Sequence, residues 1–177
     1  MTEKERFEKL KYTRKNVYLD MPDTERRAML VLCDDYRGFL DAGKTERECV
    51  REAIRLAEEN GFVPFDSKSA LVPGDRVYFL NRGKNIMLCV IGTEDITRGL
   101  NIVGAHIDSP RLDLKQNPLY ESDKMAFFKT HYYGGIKKYQ WTAIPLALHG
   151  VICKKNGERI DVCIGEKDDD PVFCVTD

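Results

Sequence analysis

The sequence predicts a mixed α/β protein in which helices come first and strands follow, with a second, β-rich segment beginning near Pro118. Three observations carry this. Apolar residues recur at spacings of three and four as far as Gly61, β-branched and aromatic residues punctuated by Gly or Pro dominate from Phe62, and an Asn-Gly pair at 156–157 separates two β-rich runs.

Residues 1–16, MTEKERFEKLKYTRKN, are expected to form a charged amphipathic helix with Phe7, Leu10 and Val17 on its apolar side. Asp23 or Thr24 is placed to cap a second helix over 25–42, on which Met29, Leu32, Cys33, Tyr36 and Leu40 share a face and which Gly43 stops. Thr45 and Glu48 have capping-box spacing at the head of a third, with Val50, Ile54 and Leu56 or Ala57 facing inward and Gly61 at its end. DRVYFLN (75–81) and NIMLCVIG (85–92) flank Arg82-Gly83-Lys84 as a hairpin. LNIVGAHID (100–108) is apolar almost until His106, the pattern of a strand buried on both faces that delivers polar side chains at its C-terminal end, and Ser109-Pro110 stops it.

QNPLYESD (116–123) reads as a polar connection, so 1–117 are taken as one domain and 118–177 as the beginning of another. VICKKNGERIDVCI (151–164) is expected to be a hairpin with positive φ angles at Asn156-Gly157, EKDDDP (166–171) an acidic loop, and VFCVTD (172–177) the start of a strand. An open strand at that point would leave an exposed edge, so the chain is expected to stop before its second domain does.

Twenty-eight Lys plus Arg against 29 Asp plus Glu give the 177 residues a net charge of -1, no field to gather nucleic acid or an anionic membrane. No apolar run approaches the roughly 18 residues that span a bilayer, and the N-terminal stretch has no signal-peptide core, so a cytoplasmic location is expected. Cys33, Cys49, Cys89, Cys153, Cys163 and Cys174 form no C-x-x-C pair and read as reduced, small apolar residues. No phosphate-loop motif occurs.

Of the three histidines, His106 has the context of a functional residue. His106 and Asp108 stand two apart at a strand end, where alternate residues share a face, and a metal-ligating imidazole needs its second nitrogen held by just such a carboxylate. The bland reading is a His–Asp hydrogen bond that only closes a turn. His131, in an aromatic run, and His149, ahead of Gly150, read as structural. The interleaved aromatic and basic residues of FFKTHYYGG, with Lys137, Lys138 and Trp141, suit a sheet face packing against a partner better than a single-stranded nucleic acid, given the near-zero net charge.

The string from His106 through Asp108, Ser109, Pro110, Leu112 and Lys115 resembles the H-[T/I]-D-S-P-x-L-x-x-K segment of the M18 family of zinc aminopeptidases, the aspartyl aminopeptidase family. Tyr133-Gly134-Gly135, Trp141 and Leu146-x-Leu148-x-Gly150 are similar to further signatures of that family. Ala143-Ile144-Pro145 replaces the acidic stretch many members carry after the tryptophan, which points to a bacterial branch and away from a preference for acidic substrates.

The resemblance implies an α/β peptidase domain interrupted by an inserted β-rich dimerisation domain, removal of N-terminal residues from peptides, assembly into homo-oligomers, and two zinc ions. It implies His106 as a metal ligand and Asp108 as the catalytic carboxylate that holds its imidazole. The family's other motifs, a bridging Asp, a Glu-Glu pair, another Asp and a final His, do not occur in this sequence; Glu58-Glu59 reads as solvated helix surface and Asp168 to Asp170 as an acidic loop. One His and one supporting Asp cannot fill a site that needs three protein ligands, so this chain alone is expected to hold zinc poorly and to be inactive. A competing reading is a catalytically inactive interaction module that oligomerises through its β-rich segment.

Overall fold

In the computed structural model, residues 2–12, 14–67, 69–142 and 144–175 are described. Met1 and Thr13 of the expected first helix, Ala143 of the branch-specific stretch, and Thr176 and Asp177 of the expected last strand lie outside them. The chain divides into two compact units, residues 1–39 and 40–177.

In the first unit, α1 (Glu3–Leu10) starts with a reciprocal cap in which the Glu5 amide donates to Thr2 Oγ1 and the Thr2 amide to Glu5 Oε2. It is half the expected length, and Phe7, Leu10 and Val17 are exposed rather than packed. Helix α2 (Asp23–Ala42) begins at Asp23, with Pro22 accepting the first helical hydrogen bond from Arg26. None of its residues is fully buried, although Met29 and Phe39 are half-buried.

The core of the second unit lies between α3 (Glu46–Glu59) and a three-stranded sheet. Thr45 caps α3 as its spacing predicts, and the helix ends in a Schellman pair, Phe62 N–H to Ala57 and Gly61 N–H to Glu58. Strand β2 (Arg76–Asn81) pairs antiparallel with β3 (Asn85–Val90) through the expected hairpin and parallel with β1 (Val63–Pro64), in the order β1-β2-β3. Cys49, Val50 and Ala57 of α3 and Val77 and Tyr78 of β2 are buried; Ala57, not Leu56, takes the inward position. The fully buried Val50 contributes roughly 1.5–2 kcal/mol by its burial. Tyr78 Oη donates to Glu58 across 2.8 Å, and Glu59 pairs with Arg55, so the Glu-Glu pair belongs to the helix surface.

Residues 99–110 depart most from expectation: this stretch forms no strand and pairs with no ladder among the described residues. Ile102 is 83% and Val103 99% exposed. A strand buried on both faces exists only between neighbours that satisfy its backbone and layers that cover it, and the described residues supply neither.

The polar connection is also absent. Strand β4 (Arg111–Ser122) runs straight through Pro118 and pairs antiparallel with β5 (Met125–Tyr133) as a long two-stranded ribbon. A register shift between Leu114 and Leu119, with Asn117 at φ 54°, absorbs the proline that would otherwise break the ladder. After the short helix α4 (Lys138–Trp141), β6 (Leu148–Cys153) and β7 (Arg159–Ile164) form the expected hairpin. Its turn differs: Gly157 alone has positive φ, closing a turn in which the Gly157 amide donates to Lys154. The expected final strand reduces, among the described residues, to a single bridge between Leu146 and Phe173. All six cysteines are free. Among the described residues no helix is long and apolar enough to cross a membrane.

Candidate metal centre

His106 sits in the irregular 99–110 segment, and short-range bonds hold that segment to the second unit's regular elements. Cys49 Sγ, buried at the head of α3, reaches the Ile107 carbonyl at 3.5 Å and the Gly43 carbonyl at 3.2 Å. Arg111, which opens β4, is pinned by Asp113 at 2.8 Å and by Glu46 of α3 at 3.2 Å. Its guanidinium lies 4.1 Å from the centroid of the Tyr133 ring, and Arg111 and Tyr133 are partners in the β4–β5 register. Gly134, at φ 74° beside Pro110, then turns the chain away from the segment in a conformation that side chains resist.

The structure brings His106 and Asp108 together, as their spacing predicts, although on a loop rather than a strand. His106 Nδ1 lies 2.9 Å from the Asp108 carbonyl and 3.2 Å from Asp108 Oδ1, so Nδ1–H donates toward one residue through two acceptors. The other carboxylate oxygen, Oδ2, accepts from Tyr133 Oη at 2.7 Å. That hydrogen bond, with help from the backbone and from His106, holds the Asp108 carboxyl below its usual range, while the same bond raises the Tyr133 phenol. The imidazole is 83% exposed. With Nδ1–H engaged, a neutral imidazole carries its lone pair on Nε2, the tautomer a metal-ligating histidine requires. Nε2 therefore fits the role of one ligand. No group of three or more His, Cys, Asp or Glu placed to hold a metal ion occurs among the described residues.

His149, a structural residue by its sequence context, is the centre of a charge cluster that fastens β6 to α3. Nδ1 meets Glu48 at 2.9 Å and Nε2 meets Glu166 at 3.0 Å; Cys163 Sγ lies 4.0 Å away, and Arg51 links Glu48 to Asp161. Burial works against the cation, but the two carboxylates outweigh it and raise the His149 pKa above 6.5. Burial likewise pushes Glu48 up, and the bonds from His149 and Thr45 outweigh it and leave that carboxyl below 4.5. The His149 contribution to stability is complete below the imidazole's unfolded value and is lost as pH rises through the raised folded value. The Glu48 contribution is complete above its unfolded value and is lost as pH falls through the lowered one. His149→Gln is expected to cost about 2 kcal/mol near pH 6 and much less at pH 9, measured by urea unfolding at both; an equal cost at the two values would contradict the ion-pair account. The acidic loop is ordered in its own right, Asp170 accepting from the Gly165 and Lys167 amides.

Sequence reasoning singled out Tyr133 only as part of a motif and left Arg111, Glu46 and Cys49 without a site role. Their link to His106 comes from strand register and helix placement, which no local pattern encodes.

A histidine that ligates metal usually has its second nitrogen held by a carboxylate or carbonyl, and the His106–Asp108 pair matches that pattern. The family described as Aminopeptidase I zinc metalloprotease (M18) matches residues 39–177, and the chain belongs to this family. It is 51% identical to "Probable M18 family aminopeptidase 1" of Clostridium acetobutylicum over 167 residues, covering 92% of this chain and 36% of the relative. The solved aminopeptidase I of Borrelia burgdorferi superposes with a TM-score of 0.85 at 39% identity, covering 92% of this chain and 40% of that one. The M18 aminopeptidase structure from Thermotoga maritima gives 0.82 at 48% identity over 94% and 36%. The chain thus spans little more than a third of the length of these relatives.

Proposed function

We propose that this chain carries the first metal ligand of a zinc aminopeptidase, His106 binding through Nε2 and Asp108 holding the imidazole. The observation that supports this best is the pairing of an occupied Nδ1 with a largely exposed imidazole. Zinc, two ions in the complete centre, would activate a water and polarise the scissile carbonyl next to a peptide's N-terminal residue. His106 supplies a lone pair, and Asp108 keeps the proton on Nδ1 so that the lone pair stays on Nε2. The general base and the other ligands come from outside the described residues. Residues 118–177 are read as the beginning of a dimerisation domain through which a cytoplasmic homo-oligomer forms.

The test is a chimera in which this chain replaces the matching third of the Clostridium acetobutylicum relative. It is expected to release N-terminal residues from peptides in a chelator-sensitive way, while the 177-residue chain alone shows no turnover above background. A folded, oligomeric chimera with neither zinc nor activity would favour the interaction-module reading instead.

A further inference from the structure

His106 has one polar partner among the described residues, Asp108, so the direction of the imidazole is only as definite as the conformation of Asp108. That residue lies in a segment without regular structure, and its side chain is 35% exposed. A carboxylate so placed would turn freely between the imidazole and water. The strongest restraint against this is Tyr133, which acts beside a local backbone bond: its hydroxyl ties the far oxygen, Oδ2, at 2.7 Å and leaves Oδ1 directed at Nδ1. Bonds to an ionised acceptor at this length are among the stronger ones in proteins. Tyr133 is in turn fixed: it ends β5 opposite Arg111, whose guanidinium covers its ring, and Arg111 is clamped between Asp113 and Glu46.

We infer that Tyr133 is a positioning residue of the metal centre, its hydroxyl locking Asp108 in the orientation that aims His106 Nε2. This rests on the proposed ligand role of His106. The β4–β5 ribbon thereby serves the site directly, through a line from Glu46 to Arg111, the Tyr133 ring, Asp108 and the imidazole. Arg111 acts on the ring's position and not on the carboxylate, so the hydroxyl alone carries the effect on His106.

The experiment uses the metal-free chimera, in which the other ligands are present, labelled with ¹⁵N-histidine, with long-range proton–nitrogen spectra recorded at alkaline pH and then during titration with zinc chloride. Tyr133→Phe removes the hydroxyl and keeps the ring beneath Arg111; because Tyr133 is 40% exposed, the loss of one oxygen leaves the fold intact, and unchanged His149 signals verify this. Wild-type His106 is expected to be predominantly the Nδ1–H tautomer and to shift at Nε2 as zinc is added. In Tyr133→Phe its population is expected to move toward Nε2–H, and the zinc concentration that half-saturates His106 to rise roughly tenfold, the lower end of what loss of a supporting partner costs. His131 and His149 serve as references and stay unchanged. An unaltered His106 tautomer and zinc response in Tyr133→Phe would overturn the inference while leaving the ligand role standing. A wild-type His106 indifferent to zinc, with a tautomer that still moves in the variant, would instead support the positioning and remove the ligand role.

Discussion

His106→Ala in the chimera is expected to abolish aminopeptidase activity and to lower bound zinc, with the fold unchanged. The imidazole is exposed and, among the described residues, makes its hydrogen bonds only to Asp108, so its removal takes nothing from the core formed by α3 and β2. The loss should exceed the 10- to 100-fold, roughly, that removal of a supporting partner causes, because a four-coordinate zinc with three protein ligands has no spare donor. Zinc content by elemental analysis and turnover of an N-terminal peptide series check it; normal zinc and normal activity would reject the assignment.

Asp108→Ala should have the next largest effect, a loss of about 10- to 100-fold in zinc affinity or activity. Two acceptors are at issue here. The side chain supplies Oδ1, but the Asp108 main-chain carbonyl, at 2.9 Å from Nδ1, survives the substitution and preserves part of the tautomeric bias. The variant should therefore retain measurable activity, and Asp108→Asn, whose amide oxygen can still accept, should retain more. Complete loss of zinc from Asp108→Ala would argue that this carboxylate binds metal directly.

Helix α3 and the β2–β3 and β6–β7 hairpins were legible because their signals are local. Thr45 with Glu48, Gly61 after α3, and the alternation on either side of Arg82-Gly83-Lys84 each act within a few residues, and each element formed where those residues placed it. The 99–110 segment shows the opposite case, for an apolar run becomes a buried strand only when other chain segments flank it, and its own residues cannot provide them. Strand β4 was hidden by Pro118, which forbids a regular ladder but is tolerated where the backbone at Asn117 and a register shift accommodate it. At the site, His106 and Asp108 were readable from their spacing of two. Tyr133 is 25 residues from Asp108, and its approach depends on a register that the shift in β4 sets. The clasp of His149 by Glu48 and Glu166 spans 101 and 17 residues, which explains why its sequence context suggested a structural residue but not its partners.

The most direct measurement of the central claim is anomalous diffraction at the zinc edge from crystals of the chimera. A zinc ion about 2.0–2.1 Å from His106 Nε2, with Nδ1 still facing Asp108, is the predicted result. Zinc bound through Nδ1, or a zinc centre that leaves His106 uncoordinated, would contradict it.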